Sequence, residues 1–143
     1  LEGQMQWRTP IDPLAAKAGV VQDFPGGIRW HRWSAEAVAK AREAGQPVLV
    51  DFTAKWCATC IWNKKTSIDV ESVRTVLADK NMKAFRADYT RRPDYITEEL
   101  QLWGRAGVPL VLVFPADRTK QPEMLPEILT ANIVLTALNK AAG

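Results

Sequence analysis

Val50-Asp51-Phe52-Thr53-Ala54-Lys55-Trp56-Cys57-Ala58-Thr59-Cys60 is the stretch on which the reading of this chain turns. Its first half, extended backwards by Val48 and Leu49, is a short apolar run of the kind found in strands buried on both faces. Its second half holds the two cysteines of the chain, three positions apart. Cysteines so spaced, directly after a strand and at the start of a helix, point to redox chemistry. The plain alternative is two unrelated buried thiols, since free cysteine is commonly buried. A zinc site wants four nitrogen or sulfur ligands, and two cysteines with the single His31 do not supply them. Haem attachment needs a histidine after the second cysteine, where Ile61 stands. Neither a metal nor a cofactor is expected.

The spacing gives each cysteine a distinct chemistry. Cys57 falls at the first turn of the helix, where unpaired N–H groups and the helix dipole favour a negative sulfur, and the thiolate is the form that attacks a disulfide. Cys60, one turn later on the same face, is within reach to resolve the resulting mixed disulfide. Lys55 adds positive charge nearby or is simply solvated. Trp56 either shields the sulfurs and offers a flat contact surface or serves only in packing. Asp51 interrupts the apolar strand six residues before Cys57. On an edge strand it would face water. If buried, its carboxyl shifts toward the neutral form and can exchange a proton with Cys60. Val108-Pro109 stands just before another apolar run, a place for proline only where a strand begins. A cis bond there would leave the Val108 backbone free to pair with a bound peptide.

Outward from this centre, helices and strands alternate. Residues 1–28, with Pro10, Pro13, Pro25, Gly26 and Gly27, read as an irregular arm containing a short helix at 12–18, with Trp30 and Trp33 as its anchors. Ser34 caps a helix through residue 44, which Gly45 ends. The active-site helix is expected to run from Cys57 to about residue 65. Asp69 is expected to cap a helix at 70–79. A strand at 82–89 and a helix at 94–105 follow, and Gly107 resets the backbone. A hairpin of strands at 110–114 and 123–127 leads to a final helix at 131–142, capped by Thr130. Such alternation predicts an α/β sandwich with helices on both faces of a mixed sheet.

The composition agrees with a globular domain: 143 residues, 47% hydrophobic, 24% charged. The formal net charge of +3 is modest, and the positive residues are scattered rather than drawn into a stripe, which argues against nucleic acid as a partner. No apolar run approaches the roughly 18 residues that span a bilayer. The first residues show no basic segment followed by an apolar one, so they do not state a compartment.

The residues at 50–60, together with Val108-Pro109, resemble the active-site strand, helix and cis-proline loop of the thioredoxin superfamily. The likeness covers about residues 34–142, leaving 1–33 as an N-terminal arm or linker to a thioredoxin-like domain at 34–143. Asp88-Tyr89-Thr90, the stretch Gly104 to Leu110, Phe114-Pro115-Ala116-Asp117 and the stretch Leu125 to Thr130 further resemble the C-terminal domain of the DsbD family of transmembrane disulfide reductases. The resemblance implies a thioredoxin-like three-layer sandwich, monomeric as an isolated domain, on the periplasmic side of an inner-membrane protein. It implies a donor, a cysteine pair in a membrane-embedded thiol-transfer domain, and acceptors, periplasmic thiol-disulfide proteins, with cytochrome c biogenesis among the processes served. Cys57 would attack, Cys60 resolve and Asp51 accept the proton, with Trp56, Val108 and Pro109 contacting substrate. The chain departs from the family at Lys64, where related domains often carry a second carboxylate. A lysine close to the cysteines would lower a thiol pKa that a carboxylate raises.

Cys-Ala-Thr-Cys leaves the direction of electron flow open, because potential depends on relative thiolate stability. A free-standing thioredoxin-like oxidase or reductase shares the same chemistry. A binding or chaperone module with a structural disulfide differs in kind, because its disulfide would resist exchange with glutathione.

Overall fold

The computed structural model describes residues 19–143, so the helix expected at 12–18 lies outside the described residues. In chain order the elements are β1 (Trp30–Arg32), α1 (Ala35–Glu43), β2 (Val48–Thr53), α2 (Ala58–Asn63), α3 (Glu71–Asp79), β3 (Lys83–Asp88), α4 (Asp94–Leu102), β4 (Leu110–Phe114), β5 (Glu123–Met124) and α5 (Ala131–Ala142). The strands form one mixed sheet in the order β1-β3-β2-β4-β5. β1 and β2 pair parallel to β3, and β4 runs antiparallel to both β2 and β5.

All six residues of β2 are buried, because β2 is the central strand and helices cover both faces. Its alternate side chains enter two cores. Val48, Val50 and Phe52 join Val38 and Ala41 of α1 and Ile96 and Leu100 of α4 on one face. Leu49 joins Val73 and Leu77 of α3 and Val134 and Leu138 of α5 on the other. Full burial of a side chain of this size contributes about 1.5–3 kcal/mol. Asp51 shares the second face with Leu49, since strand side chains alternate. It is 2% exposed, which sets aside the edge-strand reading.

Local sequence signals account for several element ends. Ser34 Oγ accepts from Ala37 N at 3.0 Å and caps α1, and Gly45 follows with φ +80°. Thr130 Oγ1 accepts from Ile133 N at 3.2 Å and caps α5.

Other expectations are corrected. The sheet takes an edge strand, Trp30–Arg32, from residues read as the anchored end of the arm, and Trp30 itself is 1% exposed. Asp69 does not cap α3. The cap position is Val70, without a side-chain bond, and the Asp69 carboxylate instead accepts from Ile28 N at 3.0 Å. The active-site helix continues past Asn63 as a π turn, Lys64–Ile68, closed by Asp69 N donating to Lys64 O. α4 ends at Leu102 rather than at residue 105, and the left-handed Gly104 follows it. β5 is two residues long, Glu123–Met124, and one further bond, Leu125 N donating to Val111 O, follows it. Among the described residues no helix is long and apolar enough to cross a membrane.

Candidate active site

β2 delivers the chain to the site and α2 carries it away. After Thr53 the backbone turns once, Cys57 N donating to Ala54 O at 3.1 Å, and α2 begins. Cys57 is the N-cap residue of α2, in extended conformation, and Cys60 N donates to its Sγ at 3.1 Å. The sulfur therefore occupies the place where a helix cap receives N–H donation, which favours negative charge on it. Cys57 and Cys60 form a disulfide, with their Cα atoms 5.2 Å apart. Cys57 is 7% exposed and Cys60 2%, so the N-terminal cysteine is the less buried of the pair.

The loop before the cysteines is pinned from β3. Lys55 N donates to Thr90 Oγ1 at 3.0 Å, and the Trp56 indole donates to Thr90 O at 2.9 Å. Asp88 in turn accepts from the Thr90 backbone N–H and hydroxyl. Burial pushes the Asp88 carboxyl up, but these two bonds and the nearby charges of Lys55 and Arg86 together outweigh it and hold the carboxyl below the usual range. Thr90 belongs to the Asp88-Tyr89-Thr90 stretch that carries part of the resemblance. The residue pattern Asp-x-Thr after a strand is the signal for its local bonds, but nothing in sequence announces the reach to Lys55. Trp56 stays half exposed, with the Arg92 guanidinium 4.3 Å from its ring centroid. Ile61 and Trp62 of α2 are also exposed.

Val108-Pro109 is a cis peptide bond. Val108 packs against the apolar cluster that contains both cysteines, and Pro109 O accepts from Arg105 at 3.2 Å. Cys57, Cys60 and Val108 thus share one apolar cluster, and Asp51 is buried in β2, the strand that leads into the cysteine loop.

Burial pushes the Asp51 carboxyl up to about 6, against the opposing charges of Lys64 and Arg86, while the negative charge of Asp23 adds to the rise. Its Oδ2 has no hydrogen-bond partner among the described residues. Asp23 pairs with Arg86 at 2.7 Å and with Lys64 at 3.6 Å. A cavity of about 620 Å³ lies beside this group, between α2, its π turn and the ends of β2 and β3. Sequence reasoning singled out Lys64 for its effect on the thiols. The structure gives its charge a second object, Asp51, and adds Asp23 and Arg86, which the sequence did not single out.

The Thioredoxin-like family matches residues 29–116, more than half of the chain, and the chain belongs to that family. The thiol:disulfide interchange protein DsbD of Ralstonia nicotianae is 30% identical over 144 residues, covering 95% of this chain and 23% of that protein. The chain thus spans about a quarter of that relative's length. The oxidised C-terminal domain of DsbD from Neisseria meningitidis superposes with a TM-score of 0.60 at 20% identity, covering 77% of this chain and 97% of that domain. A thioredoxin from Thermus thermophilus gives 0.61 at 19% identity, covering 79% and 85%. These likenesses to solved structures carry the fold.

Proposed function

We propose that this chain is the thiol–disulfide exchange domain of a DsbD-type reductase, working on the periplasmic side of an inner membrane. It takes electrons from a membrane-embedded cysteine pair and passes them to periplasmic thiol-disulfide proteins, those of cytochrome c biogenesis included. The observation that carries the reading is the Cys57–Cys60 disulfide at a helix start, with the Cys60 N–H aimed at Cys57 Sγ. The relationship to DsbD supports the direction of transfer.

The chemistry is two successive exchanges. In the reduced domain the Cys57 thiolate attacks a partner disulfide. A bond forms from Cys57 Sγ to one partner sulfur, and the other leaves as a thiolate that takes a proton from water. Cys60 then loses its proton to the Asp51 carboxylate and attacks Cys57 Sγ. The intramolecular disulfide forms and the partner's second sulfur departs with the bonding pair, so the partner gains two electrons and this domain loses two. A carboxyl titrating near 6 is matched to that proton step at neutral pH. Trp56, half exposed, and the Val108 backbone beside the cis proline offer the partner a flat face and a hydrogen-bonding edge.

Equilibration with glutathione tests the reading. A potential of roughly −230 to −270 mV is the expected outcome for a reductase. One near about −120 mV would assign an oxidase instead. A disulfide that does not exchange with glutathione would sink the catalytic reading altogether.

A further inference from the structure

The charge cluster above Asp51 includes one member from outside the sheet and the active-site helix. Residues 21–28 form a tight turn ahead of β1. Val21 and Trp30 exchange backbone bonds at 2.8 Å in both directions, and Gly27 N donates to Phe24 O at 3.0 Å. The end of the active-site helix holds this turn in place. Asp69 Oδ1 accepts from Ile28 N at 3.0 Å and from Arg74 at 2.9 Å. The Arg74 guanidinium also lies 5.5 Å from the Phe24 ring centroid. A side chain at Gly27 would come within 3.2 Å of Asp69 Oδ2, so the approach is close. The turn so fixed presents Asp23 to Arg86 and Lys64.

These are the two cations whose charges act on Asp51. Arg86 is the register partner of Asp51 across β2 and β3, and Lys64 comes from the π turn. β4 opposes Asp51 with Val111, and the buried residues of α3 and α5 on this face are apolar. With Asp23, Lys64 and Arg86, the titratable groups that line the adjoining cavity are Lys55, Lys65, Asp69 and Asp88. Asp23 is two-thirds shielded, and both its partners are about four-fifths shielded, so their interactions are only partly screened by water.

We propose that Asp23 is a positioning residue for the proton step, engaging Lys64 and Arg86 so that docking of the 21–28 turn governs how readily Asp51 takes a proton from Cys60. The inference rests on the reading of Asp51 as that acceptor. Its sign is fixed by charge alone. Removing the Asp23 charge takes away a repulsion on ionised Asp51 and frees two cations to stabilise it, and both effects make Asp51 a weaker base. Removing the Lys64 charge does the reverse.

The test uses the whole 143-residue chain. The carboxyl carbon of Asp51 is titrated by NMR in the wild type and in Asp23→Asn, Asp23→Glu and Lys64→Met. In parallel, oxidation of each reduced protein by oxidised glutathione is followed across pH. Asp23→Asn is expected to move the Asp51 titration to lower pH and Lys64→Met to higher pH, while Asp23→Glu stays close to wild type. The acid limb of the glutathione profile should move with each titration. An Asp51 titration that Asp23→Asn leaves in place, or moves upward, overturns the proposal. If the titration moves as expected while the profiles of Asp23→Asn and Asp51→Asn both match wild type, control by Asp23 stands and the relay role of Asp51 falls.

Discussion

Asp51 of β2 and Arg86 of β3 are register partners in a parallel pair, yet the Arg86 guanidinium is directed to Asp23, at 2.7 Å. The pairing that would neutralise a buried carboxylate is thereby diverted to a carboxylate nearer the surface. Burial then dominates at Asp51, whose pKa rises to about 6, while the diverted bond and charge outweigh burial at Asp23 and hold its carboxyl below the usual range. The fold thus divides two acids with shared cations into one that stays ionised and one that can cycle.

The raised pKa makes stability depend on pH. Folded Asp51 keeps its proton to higher pH than the unfolded chain, whose carboxyl titrates near 3.8. The contribution is complete below about pH 4 and is lost as pH rises through about 6. The shift corresponds to about 3 kcal/mol at full ionisation. Asp51→Asn, which never ionises, should therefore gain stability relative to wild type by up to this amount between pH 4 and pH 8. Urea unfolding at the two pH values measures the gain. An equal stability difference at both would show that Asp51 titrates as an ordinary surface acid.

Thr90 ties the loop before the cysteines to the end of β3. Thr90→Val keeps the side-chain shape but removes the acceptor of the Lys55 N–H and the hydroxyl bound to Asp88. These groups are near water, so the expected loss is about 1 kcal/mol, seen as a melting point lower by a few degrees. The Trp56 indole bond runs to the Thr90 carbonyl and should survive. Calorimetry gives the first quantity and the indole N–H resonance the second. A variant as stable as wild type would remove Thr90 as a fastener of the site.

Asp69 is 7% exposed, and its carboxylate serves Ile28 and Arg74 together. Asp69→Ala strips a buried N–H and an arginine of their acceptor, a change that costs about 2–4 kcal/mol. The loss should be directional. Hydrogen exchange at the Ile28 amide should accelerate before that of β2 amides, because the turn at 21–28 loses its tether while the central strand keeps its ladder. Uniform acceleration across both would mean that Asp69 supports the whole core rather than the turn.

What the sequence made legible follows the range of the interactions. The caps at Ser34 and Thr130 are bonds over three residues, and the apolar run at Val48–Thr53 records burial on two faces, so both were readable from neighbours alone. Val108-Pro109 stood out because proline is costly inside a strand. β1 was missed because Trp-His-Arg is three residues long and shows no alternation; only its pairing with β3 makes it a strand. Asp69 looked like a cap because it precedes a helix, but its partner is 41 residues away. Asp23 and Arg86 are separated by 63 positions, and no local pattern joins them. Cys57, Cys60 and Asp51 could be named from spacing and strand context, whereas the charges that set the behaviour of Asp51 came only with tertiary structure.

The division of labour between the cysteines predicts an asymmetric trap. Cys57 is the more exposed residue and its sulfur receives the Cys60 N–H, so it should alkylate first in the reduced protein and be the one that attacks a partner. Attack leaves one sulfur of each protein joined. Release requires a second thiol held close by, and Cys60 is the only candidate because the sequence contains no third cysteine. Cys60→Ser should therefore accumulate a mixed disulfide through Cys57, open only to slow attack by outside thiols. Cys57→Ser keeps only Cys60, a residue 2% exposed and one turn inside the helix, with a poorer approach and less help from the helix start, and should accumulate little. Both variants are expressed in a bacterial periplasm and compared on non-reducing gels, with wild type as control. Strong adducts in Cys60→Ser alone fit the assignment. Equal trapping by both variants refutes it, and the absence of adducts from either returns the disulfide to a structural role.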